Sequence, residues 1–413
     1  MPTIKPFDGY LIKQSRANTV VSPAYDSVSI EQRRKFAEEN PENFINTMRM
    51  QEDFPDDAKP SQTQLLNGNK DKLHALIDDG SFRPIEMPCM FVYQLGHDDQ
   101  LQTGLVCEVS VEDYENGVLK KHENTRAAKE DLLAQYQEVV GASSSPICLT
   151  YPQKPDIDSA ISQITDQTPD LDFVTEDGEL QKIWCIRDTG KLQELQKLFN
   201  SIDATYLTDG HHRAASGYRY AEIMRAKTGS NSGDEPFNQL LIALFPDNQL
   251  NLLPFHRCVR GTNNLSAEQI TTALAKDFEV EKLDGQTEFE SSKHGEFGML
   301  LDKSWYRLTV KAAHINSQHP VKSLDVSILQ DLILDPVLNI KDMRDDPRLG
   351  YIAGVSGMEG IRQAVTDGWD VIFVCYATSI QQLMDVADAE ALMPPKSTYF
   401  DPKPRSGIFL RLK

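Results

Sequence analysis

Between residues 204 and 227 the chain passes from a short apolar strand, Ala204-Thr205-Tyr206-Leu207, through Thr208-Asp209-Gly210-His211-His212 into a helical pattern running from Arg213 to about Lys227. Ala214, Tyr218, Ala221 and Met224 recur at helical spacing. An Asp-Gly pair between a strand and a helix is a sharp turn, with glycine supplying positive φ or close approach to a ligand. The helix start presents unpaired N–H groups and the positive end of the helix dipole, which suits an anion. One acid, two imidazoles and one guanidinium at such a turn make a phosphate-handling site. The alternative is that Asp209 caps the helix and His211, His212 and Arg213 form a solvated first turn. Adjacent helical side chains diverge by about 100°. His211 and His212 should therefore divide the work, one entering the site and the other supporting the loop.

The chain has 413 residues, enough for two or three domains with substantial cores. Its net charge of −20 disfavours broad binding to nucleic acid or to an anionic membrane, while leaving room for a local basic pocket. No stretch approaches the roughly 20 apolar residues that span a bilayer. The start, Met1-Pro2-Thr3-Ile4-Lys5-Pro6, lacks the apolar core of a secretory leader, so a cytoplasmic location is expected. Cys89, Cys107, Cys148, Cys185, Cys258 and Cys375 are widely spaced, most within apolar runs, and read as buried free thiols.

In chain order, Val20-Val21-Ser22-Pro23-Ala24-Tyr25-Asp26 is an extended segment leading to a candidate site acid, Asp26. Ser29 and Gln32 form a capping-box pattern ahead of a helix that ends near Asn40-Pro41. Phe44 to Arg49 reads as a strand, with Arg49 a second candidate, and Gln62 to Asp79 reads as a helix. Cys89 to Leu95 and Gln102 to Val109 read as a hairpin around Gly96-His97-Asp98-Asp99. A second polar concentration follows in Lys121-His122-Glu123-Asn124-Thr125-Arg126 and Lys129. It offers a base, a hydroxyl and phosphate-binding cations; a charged helix start would have the same composition. His256-Arg257 interrupts an apolar strand and is a further candidate. Lys396, Ser397, Thr398 and Lys403 in the proline-rich tail could close over a phosphate. From Gly261 the pattern changes, with a helix at 265–276, strands near 278–281 and 297–310, and a helix at 324–336.

Taken together, Ser22-Pro23-Ala24-Tyr25-Asp26, Asn40-Pro41, Lys121-His122-Glu123-Asn124-Thr125, Asp209-Gly210-His211-His212-Arg213, Leu253-Pro254-Phe255-His256-Arg257, Leu324-Asp325-Val326 and Pro394-Pro395-Lys396-Ser397-Thr398-Tyr399-Phe400 resemble the landmarks of the DUF1015 family, nearly end to end. Ala24 stands where the family usually has a second proline, and Lys121 where it often has proline. The Asp209–Arg213 turn also resembles the Asp-Gly-x-His-Arg turn of the ParB and sulfiredoxin-like group, which binds nucleotides there and includes kinases of free serine. These resemblances imply an α+β fold: a mixed-sheet N-terminal part with ParB/sulfiredoxin-like features over 1–260, and a smaller α/β unit with the tail over 261–413.

The implied activity is a small-molecule phosphotransferase using ATP or ADP with Mg²⁺, with free L-serine the leading acceptor. On that reading Glu123 is the general base. Asp209 binds Mg²⁺ or substitutes as the base. His212, Arg213 and the N–H groups of the Gly210 turn hold phosphate. Arg126 and Lys129 stabilise developing charge, with Asp26, His122, Thr125, His211, His256, Arg257 and Lys396 as further binding residues. A metal-dependent hydrolase using His122, His211, His212, Asp209 and His256 is one alternative, although no His-x-x-x-His spacing is present. A non-catalytic nucleotide-sensing module is the other. The partners expected are a nucleotide and a small-molecule substrate, without nucleic acid or membrane.

Overall fold

A computed structural model of the chain describes residues 2–97, 100–316 and 318–413, with the side chain of Asp26 outside the described set. The chain is mixed α/β with several sheets, and it divides into two compact units. The first is Met1–Leu250 with Pro402–Lys413, and the second is Asn251–Asp401. The expected boundary at 260/261 differs from this division in two ways. The strand Phe255–Val259 pairs with Leu349–Ala353 and Val371–Val374, so it belongs to the second unit. The last residues, Phe409–Leu412, pair with Tyr10–Ile12 and Ala142–Ser143 in the first.

The first unit is built on an eight-stranded mixed sheet. In chain order its strands are β1 (Met90–His97), β2 (Gln100–Ser110), β3 (Leu119–Lys120), β4 (Ile147–Tyr151), β5 (Leu171–Val174), β6 (Leu180–Ile186), β7 (Thr205–Asp209) and β8 (Gln239–Pro246). Their spatial order is β3-β7-β4-β8-β2-β1-β6-β5. β1 and β2 form the expected hairpin, with His97 opposite Gln100; Asp98 and Asp99 of the expected turn lie outside the described residues.

Both faces of this sheet are covered, which is why its central strands read as unbroken apolar runs. Met90 and Val92 point into one core with Leu105, Cys107, Ile242 and Leu244. Phe91 and Tyr93 point into the other with Val106, Leu241, Ala243 and Phe245. Each such Val, Leu, Ile, Phe or Met side chain contributes about 1.5–3 kcal/mol on burial. Gly104, where β2 passes β8, has no room for a side chain: a Cβ there would lie 2.3 Å from the Leu244 carbonyl oxygen.

Two helices matter for the site, α1 (Ala127–Val140) and α2 (His211–Thr228). Gln137 Nε2 donates to Ser216 Oγ at 3.2 Å, Asp131 pairs with Arg219, and Glu138 pairs with Lys227. The two ion pairs ascend together along both helices, so α1 and α2 run in the same direction and their N-termini lie at the same end.

Two local expectations are corrected. Phe44–Thr47 is a 3₁₀ turn rather than a strand, because the Asn43 side chain caps it by accepting from the Ile45 N–H at 3.0 Å. The helix expected at 324–336 is a short α segment, Asp325–Leu329, followed by a π segment, Gln330–Leu334. The Ser29–Gln32 capping box is present at the start of Ile30–Glu39.

The second unit carries a six-stranded sheet of β9 (Phe255–Val259), β10 (Phe278–Leu283), β11 (Glu296–Leu301), β12 (Ser304–Val310), β13 (Leu349–Ala353) and β14 (Val371–Val374). The spatial order is β10-β12-β11-β14-β9-β13. Val259, Met299, Val371 and Phe373 face one core, and Cys258, Ile372 and Val374 face another. All six cysteines are free thiols, five of them buried and Cys185 partly so. Among the described residues no helix is long and apolar enough to cross a membrane.

Candidate functional site

The parallel pairing of β3 with β7 sets Leu119 opposite Thr205 and Lys120 opposite Tyr206. The chain leaving β3 through Lys121, His122 and Glu123 therefore emerges beside the chain leaving β7 through Asp209 and Gly210. Two segments about 90 residues apart in sequence thus meet at one sheet end by register alone. Along β7 the pairing with β4 shifts between Leu207 and Asp209, a β-bulge at Thr208 that re-aims Asp209. Gly210 then takes φ +96°, ψ 29°, and α2 begins at His211 with no side-chain cap.

Asp209 is held from two sides. Lys403 Nζ donates to Oδ1 at 2.7 Å, and Arg213 Nη2 donates to Oδ2. Burial pushes this carboxyl up, but Lys403 and then Arg213 outweigh it and hold the group well below the usual carboxylate range. Arg213 Nη1 also donates to the Pro146 carbonyl at 2.9 Å, tying the helix start to the loop before β4. With both carboxylate oxygens engaged by cations, a metal ion at Asp209 would have to displace one of them.

The adjacent histidines divide as their helical positions require. His211 is 4% exposed and turns toward His122, itself 2% exposed; the rings meet edge to face with centroids 4.5 Å apart. His211 Nδ1 lies 3.5 Å from Glu123 Oε2. His212 turns the other way, and its Nε2 accepts from the Arg126 N–H at 3.2 Å, joining the first turn of α2 to the start of α1.

Burial pushes His211 down to about 4 despite the pull of Asp209. Burial, then the neighbouring His211, holds His122 well below the usual histidine range, and the Leu207 carbonyl only partly opposes this. Both rings are consequently neutral at neutral pH, so neither is a phosphate-binding cation. His122 Nδ1 and Nε2 and His211 Nε2 are buried without a hydrogen bond of good geometry among the described residues. One atom from each of His122, Glu123 and His211 falls within a cluster no wider than 4.8 Å.

The remaining candidates fall in different places. Thr125 Oγ1 donates to Glu130 Oε1 at 2.5 Å, closing the first turn of α1. Arg126 is the N-cap residue of α1, and Lys129 is exposed on its first turn. Asp26 falls on the 3₁₀ turn Tyr25–Ser27, with its side chain outside the described set. Arg49 lies over the Phe54 ring and donates to the Asp53 carbonyl at 2.7 Å.

His256, Arg257 and Lys396 belong to the second unit and find partners there. His256 Nδ1 accepts from the Cys375 N–H at 3.1 Å. Arg257 is fully buried and donates to the carbonyls of Phe255, Pro395 and Lys396. The Lys396 ammonium lies 5.1 Å from the centre of the Phe255 ring.

Sequence reasoning missed the Thr208 bulge and the Pro146 carbonyl. Lys403, named with Lys396, Ser397 and Thr398 as able to close over a phosphate, pairs with Asp209.

A mixed α/β protein with a polar strand-to-helix turn at one end of its main sheet is the class so defined. The chain belongs to the DUF1015 family, described as a protein of unknown function, whose model matches residues 4–327. No curated protein matches it in sequence. Among solved structures, it is similar to a free serine kinase variant in complex with ADP, at 12% identity and a TM-score of 0.36, covering 74% of this chain and 92% of that one. It is also similar to a conserved hypothetical protein from Pyrococcus furiosus, at 11% identity and a TM-score of 0.34, covering 73% and 93%. C-terminally truncated SbnI from Staphylococcus aureus matches at 11% identity and a TM-score of 0.36, covering 74% and 85%.

Proposed function

We propose that this protein is a phosphotransferase that moves a phosphoryl group from ATP or ADP to a small hydroxylated acceptor, with free L-serine the first candidate. The observation that carries this reading is the meeting of two helix N-termini. The 14-residue α1 and the 18-residue α2 start at one place, joined by the Arg126–His212 hydrogen bond. Their aligned dipoles and first-turn N–H groups favour a multiply charged anion there, in a chain whose overall net charge is −20. The Asp-Gly-His-His-Arg resemblance to the nucleotide-binding turn of the ParB and sulfiredoxin-like group supports the same reading.

In this proposal the acceptor hydroxyl gives its proton to the exposed Glu123 carboxylate as its oxygen bonds to the transferring phosphorus. The phosphoanhydride bond of the nucleotide breaks, and the leaving phosphate oxygen carries the charge away. The α2 first-turn N–H groups and Arg126 stabilise that charge, with Lys129 assisting from the first turn of α1. Asp209 fixes Arg213 and Lys403 around the turn. Mg²⁺ accompanies nucleotides in such reactions by screening phosphate charge; the engaged Asp209 carboxylate does not offer it a ready ligand.

A metal-dependent hydrolase is the second reading, favoured by the approach of His122, Glu123 and His211. One experiment separates the readings: ATP or ADP with Mg²⁺ and a panel of hydroxylated metabolites, serine first, followed by phosphorus NMR. A phosphomonoester signal that is lost in Glu123→Gln supports transfer. Inorganic phosphate formed whether or not acceptor is present favours the hydrolase. Saturable nucleotide binding without product favours a sensor.

A further inference from the structure

We propose that His122, Glu123 and His211 form a binding site for one divalent d-block metal ion such as Zn²⁺ or Co²⁺. The first observation is geometric. A ligand atom from each residue lies within 4.8 Å of the other two. Ligands around a tetrahedral zinc, at about 2.0–2.1 Å from the metal, are about 3.4 Å apart. No pair in the cluster therefore needs to close by more than about 1.4 Å on binding, and Glu123, at 48% side-chain exposure, is positioned to make that movement.

The second observation is independent of the first. His122 is buried, and neither ring nitrogen has a good hydrogen-bond partner among the described residues; His211 Nε2 is in the same state. Leaving such groups buried and unsatisfied is unfavourable. The two buried imidazoles meet edge to face, and a cation accepting a lone pair from each satisfies both at once, while the Leu207 carbonyl stays beside the other side of the His122 ring.

The donor set selects the metal. Two imidazoles and one carboxylate suit zinc and its d-block neighbours, whereas Mg²⁺ takes oxygen donors almost exclusively. Three protein ligands leave a coordination position for water or a substrate oxygen, the pattern of a reactive rather than a purely structural site. The fold supplies the constancy such a site needs. His122 follows β3, His211 opens α2, and the β3–β7 pairing fixes their separation. Metal binding is measured without turnover and so is tested separately from phosphotransfer. Because a metal-bound Glu123 could not also serve as the acceptor base, this inference rests on the hydrolase reading of the same site.

The test uses the full-length protein, stripped with chelator and then titrated with Co²⁺, Zn²⁺ and Mg²⁺. The expected result is one equivalent of Co²⁺ with visible d–d absorption, displaced by Zn²⁺, and Mg²⁺ binding at least about 100-fold weaker. His211→Ala should abolish the absorption. Glu123→Gln, a change at an exposed position that leaves packing intact, should weaken Co²⁺ binding about tenfold or more. His314→Ala, in the second unit, should leave binding unchanged. Absence of Co²⁺ and Zn²⁺ binding by the folded wild-type chain would overturn the proposal. So would binding that survives both site variants, that fails in His314→Ala, or that prefers Mg²⁺.

Discussion

Lys403 Nζ lies 2.7 Å from Asp209 Oδ1, although the two residues are 194 positions apart in sequence. The contact places a cation from the final segment of the chain at the bulged end of β7, where Arg213 already meets the other carboxylate oxygen. Asp209 is thus the shared counter-ion of two cations that would otherwise repel at short range. Removing one partner of a buried pair costs about 3–5 kcal/mol, because the remaining charge is left uncompensated. Asp209→Ala should therefore lower stability by about that amount, and Lys403→Met by less, since Arg213 still neutralises the acid. Urea unfolding of the two single variants and the double variant checks this. A coupling energy near zero between positions 209 and 403 would remove the pair from the account of the turn.

Gly210 is required by both backbone and neighbours. Its φ of +96° lies where side chains are rarely tolerated, and a Cβ would sit 2.9 Å from the Arg213 guanidinium. Gly210→Ala should destabilise by about 1–2 kcal/mol from backbone strain. It should also displace Arg213 from Asp209 and weaken any anion bound at the start of α2. Thermal unfolding and nucleotide titration read the two effects separately, and an alanine variant with unchanged melting would contradict the strained turn.

Much of this turn was legible in the sequence because the Asp-Gly pair, the flanking apolar strand and the helical spacing after it are all local signals. The division of labour between His211 and His212 followed from the angular step of a helix. The identities of their partners did not, because they depend on β3 lying next to β7, a pairing with no local signature. Lys403 carries no sequence mark that distinguishes a counter-ion of Asp209 from a solvated lysine. Phe44–Thr47 misled for the opposite reason: its apolar residues look like a strand, and the deciding interaction is the Asn43 side chain competing for a backbone N–H.

Arg405 makes a second long-range tie within the first unit. It is 6% exposed and places Nε and Nη2 on Glu179, itself 4% exposed, with Nη2 also reaching Asp177. Burial disfavours the guanidinium charge, but Glu179 and Asp177 outweigh this and raise its affinity for the proton. Arg405→Met should cost about 3–5 kcal/mol, since it leaves the Glu179 carboxylate buried without its cation. Arg405→Met combined with Glu179→Gln should recover part of the loss. If the double variant is no more stable than Arg405→Met, the loss comes from packing of the arginine stem instead.

His256 gives the chain a predicted acid sensitivity in its second unit. Its Nδ1 accepts from the Cys375 N–H, so the ring is neutral in the folded chain, and burial with the nearby Arg257 pushes it down to about 4. In the unfolded chain a histidine titrates near about 6.5. Between those two values the unfolded state binds more protons, so stability falls as pH drops from about 6.5 and levels off below about 4. Above about 6.5 this penalty is absent. The expected loss between pH 7 and 4.5 is on the order of 2 kcal/mol. It is measurable as a shift in the urea midpoint followed by the fluorescence of Trp305 and Trp369 in the same unit. In His256→Asn the amide oxygen can still accept from Cys375 but does not titrate, so its midpoint should vary less with pH. Parallel curves for wild type and variant would mean that the histidine is not held neutral by burial.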